Sequence, residues 1–431
     1  MRRSVRTSVG VAAVLLGLSL AACGTGGEAS SDGGGGGGGD GEIKVGPGVD
    51  VEAKTITIGY IGGLTGPAAA LSQPMKAGME TCWKAIDDGG GIDGWTVEFE
   101  SEDSGYETQQ HVQLFNQMKG DIALLTSFGS PTTKAIQPLI EREGIVTVPQ
   151  SWDSLWGADP LLAPIGTPFS IDVANGLDYL TEGGAKKLRV GAIYQDDEGG
   201  ADIMRGYDAA LEAYGFEDVG RHPYKPGDTD YTAQVQRLKS AKADVVLMGG
   251  VPSASGPAVG TAASIGFKPQ WLFIGPAFIE QLITEDGTAS GKQTPLADAL
   301  KGTLVTMFSV PWGDEGAPGM AKMIEEQERY APDQTPSIYY TVGYTDCKVQ
   351  EAILRKAIES GDLTRDGIRT AKLSLGPLDM QGLAPDVEYT EELGPPSRTS
   401  LLVEIDPEAT GFLRTVEPAY EGDAGNAIEI G

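Results

Sequence analysis

From about residue 55 onward, short apolar runs alternate with segments in which apolar residues recur every three or four positions. Residues 55–61 (TITIGYI) are rich in β-branched side chains and predict a strand. Ser72 is the predicted N-cap of the next helix, Pro74 lies in its first turn and Gly89 ends it. The apolar face of that helix comprises Met75, Met79, Cys82 and Ile86.

The same alternation continues through two series of elements. Strands alternating with helices predict parallel βαβ units, so the fold class is α/β with two doubly wound parallel-sheet lobes. The first series contains strands 55–61, 96–101, 122–126 and 145–148, with helices at 108–119 and 132–143. The second contains strands 188–194, 244–248, 271–274 and 303–308, with helices at 201–214, 231–241 and 255–265. Helices at 316–330, 337–360 and 366–371 and some late strands complete the chain.

The amino-terminal 53 residues follow a different pattern. Three arginines precede an uncharged stretch, residues 7–22, that is too short for a comfortable membrane span and is typical of an export signal. Residues 20–23 (LAAC) resemble a bacterial lipobox, which implies cleavage after residue 22 and lipidation of Cys23; an ordinary signal peptide is the alternative. Residues 23–53, with seven consecutive glycines, predict a flexible tether. The predicted location is the cell envelope, on the outer face of the cytoplasmic membrane.

Composition and motifs limit the function classes. The formal charge of -29, with no basic cluster beyond the first six residues, disfavours nucleic acid or a bilayer bound through a basic face. The two histidines form no H-E-x-x-H motif, and the chain contains no Cys-x-x-Cys pair, no G-x-S-x-G elbow and no Walker lysine. We therefore predict a protein that is not an enzyme and has no catalytic residue, cofactor or metal.

Several longer segments carry a family resemblance. They are ITIGYIGGLTGPAAALSQPMKAGMETCWKAIDDGGGIDG, SFGSPTTKAIQPLIEREGIVTVPQS, VGAIYQDDEGGADIMRGYDAAL, DYTAQVQRLKSAKADVVLMGG and GYTDCKVQEAILRKAI. Their order across residues 54–405 resembles the substrate-binding proteins of ABC importers, in the leucine/isoleucine/valine-binding branch with the type I periplasmic binding protein fold.

The resemblance implies three crossings between lobes, near residues 169–172, 309–313 and 376–381. The first lobe would comprise residues 54–170 and 312–377, and the second residues 171–311 and 378–431. A ligand cleft would lie between them, at the carboxyl ends of the strands. The implied function is capture of a small molecule (amino-acid-like, an amide, or an aromatic or apolar acid) by a monomer that delivers it to an ABC permease and its ATPase. The alternative is a sensing lipoprotein that signals to a membrane partner.

The resemblance also transfers candidate ligand contacts. In the first lobe the family's gripping serine aligns with Ser130, although Thr132 and Thr133 are alternative caps for the following helix. A second loop aligns with Ser151, Trp152 and Asp153, with Trp152 alternatively a core residue. The contacts carried over by alignment are Leu71, Ser130, Ser151, Trp152, Asp153, Gly199, Val251 and Ala277.

Four aligned positions depart from the family pattern. Leu71 and Gly199 replace aromatic residues, Val251 replaces a tyrosine, and Ala277 replaces the acid that binds an amino acid's ammonium group. An unpaired ammonium in a desolvated cleft costs on the order of several kcal/mol, which argues against an unmodified branched-chain amino acid. A substitute charge would have to come from Asp153, Asp196, Asp197 or Glu198. Without such a charge, the predicted cleft walls suit a ligand that has apolar or aromatic surface. These walls are Leu71, Trp152, Val251, Ala277 and Phe278.

With Cys23 assigned to lipid, Cys82 and Cys347 remain. The family topology returns the late helix bearing Cys347 to the first lobe, where Cys82 lies. A disulfide between them is predicted for an extracytoplasmic protein, and two buried thiols are the alternative.

Overall fold

The computed structural model describes residues 43–430. The predicted signal peptide, the lipidation site at Cys23 and the glycine run lie outside these residues. Within them, no helix combines the length and the apolar character that a membrane span requires.

The strands belong to two main sheets and one short pair. They are β1 (Lys44–Val45), β2 (Val49–Asp50), β3 (Thr55–Gly62), β4 (Thr96–Asp103), β5 (Leu124–Phe128), β6 (Thr147–Gln150), β7 (Arg189–Gln195), β8 (Glu217–Tyr224), β9 (Val245–Gly249), β10 (Gln270–Ile274), β11 (Leu304–Met307), β12 (Asp362–Leu363), β13 (Ser400–Ile405) and β14 (Leu413–Tyr420).

The helices flank these sheets. They are α1 (Ala69–Asp88), α2 (Thr108–Met118), α3 (Ser130–Glu143), α4 (Phe169–Thr181), α5 (Glu198–Tyr214), α6 (Thr232–Ser240), α7 (Pro252–Ser264), α8 (Ala297–Leu300), α9 (Met320–Tyr330), α10 (Ile338–Ser360), α11 (Arg365–Leu373) and α12 (Asp423–Ala427).

The first sheet has the order β2-β3-β5-β6, with β4 on β3, and β3 to β6 are parallel. The second has the order β14-β13-β11-β10-β9-β7-β8; it is parallel except for β13 and β14. Helices α9 and α10 return to pack on α1, and the last two strands join the second sheet. We call the first sheet with α1–α3 and α9–α11 the first lobe, and the second sheet with α4–α8 and α12 the second lobe.

Helices α1 and α10 of the first lobe pack closely against each other. A Cβ atom at Gly78 would clash with the carbonyl oxygen of Tyr340, and one at Gly343 with that of Met75, so both glycines are needed for this approach. In the structure Cys82 of α1 is bonded to Cys347 of α10, with the two Cα atoms 6.2 Å apart. The two helices are therefore joined both by packing and by a covalent bond.

Three sequence-based expectations differ from the structure. The tether predicted at 23–53 extends too far, because β1 pairs with β12 and β2 pairs with β3. Ser72 is not an N-cap: α1 begins at Ala69, and the Ser72 hydroxyl instead lies 2.8 Å from the Tyr60 hydroxyl and accepts from the Gly63 N–H. Strand β8 and helix α4 had no predicted counterpart.

Candidate functional site

A cavity lies between the two lobes. Phe128, Gln150, Gln195 and Ile274, the last residues of β5, β6, β7 and β10, line it together with Gly250, which follows β9. Carboxyl ends of parallel strands are where open α/β sheets bind ligands, because the loops that follow them are free to vary. This cavity is therefore the candidate site.

The cavity wall is mainly apolar, and the residues that line it include no lysine or arginine. Polar groups come from two serines, two glutamines, one tyrosine and one carboxylate. The apolar and aromatic lining residues are Leu71, Met75, Tyr106, Phe128, Trp152, Phe169, Ile203, Val251, Ile274 and Pro276. The remaining ones are Gly129, Ser130, Gln150, Ser151, Gln195, Asp197, Gly199, Gly200 and Gly250.

Four helices begin at this cavity. Lining residues include Ser130, the first residue of α3, and Phe169, the first of α4. Gly199 and Gly200 belong to the first turn of α5, and Val251 is the N-cap of α7. Helix amino termini carry partial positive charge, but the Ser170 N–H of α4 already donates to Asp202 and the Gly200 N–H of α5 to Asp197. The start of α3 at Ser130 is therefore the end of the cavity that favours an anionic or hydrogen-bond-accepting group.

Ser130 is held by a buried carboxyl group. Its Oγ donates to Oδ2 of Asp153 at 2.6 Å, and both residues are buried. Burial, with the nearby charge of Asp202, raises the pKa of Asp153 to about 8. Asp153 therefore positions the Ser130 hydroxyl. The ionised form of Asp153 is disfavoured because its surroundings exclude water.

The carboxylate of the cavity wall belongs to Asp197. This residue is the N-cap of α5 and accepts from the Gly200 N–H at 2.9 Å. The side-chain amide of Gln195 donates to Asp197 and to the hydroxyl of Tyr106, the latter at 3.1 Å. Burial raises the pKa of Asp197, partly offset by these hydrogen bonds. The Gln195 to Tyr106 bond also connects the second lobe to the first.

Other contacts hold the lobes together around the cavity. Asp202 of α5 accepts from the backbone N–H of Ser154 at 3.0 Å, and Ser253 donates to the Pro67 carbonyl at 3.2 Å. The lobes also approach each other closely at Gly199, where a Cβ atom would lie 2.8 Å from Ser130 Oγ. In this arrangement there is no room for a side chain at Gly199.

Six of the eight transferred contacts line the cavity: Leu71, Ser130, Ser151, Trp152, Gly199 and Val251. The other two do not. Asp153 lies behind Ser130, as described above. Ala277 is fully buried in a 3-10 turn, where its carbonyl accepts from Ser255 Oγ at 2.5 Å, and Pro276 lines the cavity in its place. Phe278, another predicted wall residue, is likewise fully buried away from it.

Of the four acidic residues considered as a substitute charge, Asp197 alone lines the cavity, whereas Asp196 and Glu198 are exposed. Sequence reasoning missed Tyr106, Phe128 and Gln195 as lining residues. Phe128 and Gln195 each end a strand, and that position was an available signal. Tyr106 had no comparable signal. It lies in a loop with a positive φ of 65° and packs edge to face on Phe128.

The residues that the structure describes include no group of three or more His, Cys, Asp or Glu side chains arranged to hold a metal ion.

Comparison with known proteins places this geometry in a family. A model of the periplasmic binding protein family matches residues 55–411. The chain belongs to that family. The predicted resemblance to its leucine/isoleucine/valine-binding branch and the predicted type I fold are confirmed. These family members are solute-binding proteins and not enzymes.

One curated relative is the Leu/Ile/Val-binding protein homolog 3 of Brucella melitensis, which is 31% identical over 210 residues. The match covers 47% of this chain and 56% of the relative, so the chain spans just over half of that protein's length.

Two solved structures extend the comparison. The first is a fatty acid ABC transporter substrate-binding protein from Thermomonospora curvata: TM-score 0.83, 27% identity, covering 90% of this chain and 97% of that one. The second is a branched chain amino acid ABC transporter protein from Thermus thermophilus with bound valine: TM-score 0.76, 18% identity, covering 88% and 99%. At 18% identity, the similarity to the Thermus thermophilus structure shows a shared fold only.

Proposed function

We propose that this chain is the solute-binding component of an ABC importer, which captures a small molecule in the interlobe cavity and delivers it to a permease. Family membership and the position of the cavity at the strand ends support this proposal. The proposal includes a lipid anchor at Cys23, the outer face of the cytoplasmic membrane and the predicted lobe boundaries, with the first lobe extended to residue 43.

The ligand we propose has an apolar or aromatic body and a carboxylate or carbonyl group at one end. Ten apolar or aromatic side chains line the cavity, so most of the ligand surface would be removed from water by apolar contacts. The amino terminus of α3 would attract the polar end. Ser130 can donate its single proton to that end when protonated Asp153 donates to the Ser130 oxygen in turn. Recognition of an acid by N–H groups requires no basic residue.

A free amino acid fits this wall less well. Its ammonium group would need an acidic partner, and the cavity offers Asp197, whose two oxygens already accept from Gly200 and Gln195. Desolvating an ammonium without a dedicated partner is unfavourable. The 27% identical structure is named for fatty acids, which agrees with an apolar acid as the ligand class.

One observation carries the proposal: the mainly apolar cavity at which four helices begin contains no lysine or arginine.

A thermal-shift panel of apolar acids, aromatic acids, amides and amino acids tests the ligand class. A true ligand at about a hundred times its dissociation constant should stabilise the protein by roughly 2.7 kcal/mol. We expect acids with apolar bodies to give the largest shifts. A panel in which amino acids stabilise and apolar acids do not would contradict the ligand class.

Ser130→Ala tests the site with the best acid from that panel. The variant removes a hydroxyl at the first turn of α3 and should weaken binding about tenfold, as loss of a hydrogen bond to a charged group does. Ser264→Ala is the matched control. Ser264 is the exposed last residue of α7, at the end away from the cavity, and its hydroxyl donates to the Thr261 carbonyl. Equal affinity in both variants would place the ligand elsewhere.

A further inference from the structure

The loop after β4 places a tyrosine hydroxyl between the two lobes. Tyr106 lies in this loop, lines the cavity and packs its ring edge to face on Phe128, with the ring centroids 5.9 Å apart. The Tyr106 hydroxyl accepts a hydrogen bond from the side-chain amide of Gln195 at 3.1 Å, and Gln195 ends β7 in the second lobe. Tyr106 therefore contacts the cavity and the opposite lobe at once.

The loop that carries Tyr106 is held firmly. Asp103, the last residue of β4, accepts from the backbone N–H groups of Leu64 and Gly105, each at 2.8 Å. Its other carboxylate oxygen accepts from Thr65 Oγ1 at 2.6 Å. Tyr106 itself has a φ of 65°, in the left-handed region that bulky residues rarely adopt and that persists only where the surroundings enforce it. The fold therefore fixes the direction of this ring.

The Tyr106 hydroxyl lies beside the amino terminus of α3. A Cβ atom at Gly129, which precedes Ser130 at the start of α3, would clash with Cε2 of Tyr106. Cε2 is bonded to the ring carbon that bears the hydroxyl. The hydroxyl is therefore at the corner of the cavity where α3 begins, which is the corner that the proposed function assigns to the polar end of the ligand.

Counting the protons shows that Tyr106 has a donor to offer. Gln195 Nε2 carries two protons, and it donates to Tyr106 and to Asp197. Within the described part of the chain, the proton of the Tyr106 hydroxyl has no acceptor. Removal from water and the charge of Asp197 raise the pKa of Tyr106 well above its usual value, so the hydroxyl keeps that proton. Ser130, by contrast, can donate to a ligand only when Asp153 is protonated.

We infer that the Tyr106 hydroxyl is a specificity-determining contact, which donates to the carboxylate of the ligand while it accepts from Gln195. This inference rests on the proposed function, since it takes the polar end of the ligand to lie at the start of α3. Accepting from Gln195 makes the Tyr106 O–H a stronger donor. Because Gln195 belongs to the second lobe, the stronger contact exists only when the lobes are together, so an acid favours the closed arrangement.

Tyr106→Phe removes the hydroxyl and keeps the ring against Phe128. The probes are 3-phenylpropanoic acid and octanoic acid, each with its primary amide, titrated by calorimetry. Hydrogen bonds to charged groups are stronger than those to neutral ones. The variant should therefore bind the acids about twentyfold more weakly and the amides about fivefold more weakly, so that the preference for acids falls about fourfold.

Tyr179→Phe is the matched control, because Tyr179 is a half-buried tyrosine that packs on Tyr420 without lining the cavity. It should bind all four probes as the unmodified protein does. The inference is overturned if Tyr106→Phe weakens acids and amides by the same factor, as a hydroxyl that only links the lobes would, or if it weakens neither. In both cases the unmodified protein still binds acids, so the proposed function stands. If the unmodified protein binds neither acid, both proposals fail.

A crystal structure of the unmodified protein with 3-phenylpropanoic acid gives a test that needs no variant. We expect a carboxylate oxygen at about 2.7 Å from Oη of Tyr106, the usual length of such a hydrogen bond. A carboxylate bound in the cavity but more than about 3.5 Å from Oη would overturn the inference, whether or not Tyr106→Phe folds.

Discussion

The two lobes contribute different surfaces to the cavity. The first lobe presents Trp152, Phe128 and Ser130, whereas the second lobe presents three of the four lining glycines and Asp197 beside the apolar side chains of Phe169, Ile203, Val251, Ile274 and Pro276. The first lobe also has its outer helices joined by the Cys82 to Cys347 bond; the described part of the second lobe has no disulfide. We expect the disulfide to brace the first lobe as one wall of the cavity, and the contact at Gly199 to limit how closely the second lobe approaches it.

The largest expected effect concerns the bracing of the first lobe. Replacing both cysteines by alanine (Cys82→Ala with Cys347→Ala) should lower the free energy of unfolding by about 3 kcal/mol, because the bond restricts the unfolded chain across 265 residues. Urea unfolding measures this change, and ligand affinity should stay within about twofold, since the bond lies outside the cavity. Free thiols found by alkylation of the unreduced protein would contradict the bracing.

Trp152→Ala should remove the main first-lobe wall. Tryptophan is a frequent binding hot spot, and we expect a loss of about 2 kcal/mol, or roughly thirtyfold in affinity, by calorimetry. Trp83→Ala is the control, because Trp83 is buried in α1 without lining the cavity. Both variants should lose stability. If both lose affinity equally, the effect comes from general destabilisation of the lobe.

Asp153 adds a pH dependence to the first lobe. The pKa of Asp153 is about 8 in the folded state and 3.8 ordinarily. Between about pH 4 and pH 8 the folded state therefore keeps a proton that the unfolded state has lost. The free energy of unfolding should therefore fall as pH rises from about 4 to about 8. Asp153→Asn cannot ionise, so its stability should fall less between pH 5 and pH 8, by up to about 1.4 kcal/mol for each pH unit. Chemical unfolding at both pH values measures the difference; parallel profiles would contradict it.

Gly199→Ala tests closure by the second lobe and should have the smallest effect. The new Cβ atom would lie 2.8 Å from Ser130 Oγ, so the lobes would have to separate slightly. A cost of about 1 kcal/mol, or roughly fivefold in affinity, is typical of modest overpacking. Gly120→Ala is the control, because its Cβ atom would meet nothing within 4 Å. Unchanged affinity in Gly199→Ala would mean that the ligand-bound lobes are further apart than in this structure.

Much of the fold follows from hydrophobic periodicity, and its exceptions have physical causes. Strand β8 contains glycine, histidine and proline without clean alternation; as an edge strand it tolerates them, because one side of it needs no ladder hydrogen bonds. Helix α4 is buried on nearly every side. Its sequence therefore lacks the polar face that would have revealed a helical period of 3.6 residues.

The site residues likewise divide into those that were predicted from the sequence and those that were not. Ser130 and Trp152 follow strands and were predicted by family resemblance, because loops after strand ends keep their place in the fold. Ala277 was missed by one residue, since a 3-10 turn rotates it inward. Tyr106 and Phe169 reach the cavity only through tertiary packing, which the order of residues along the chain does not encode locally.

A crystal structure of the protein with the tightest-binding acid from the panel tests the central claim most directly. We predict ligand density between the lobes, with its polar end at the first turn of α3 near Ser130 and its apolar end against Trp152. Density elsewhere on the protein, with nothing between the lobes at saturating ligand, would contradict the account.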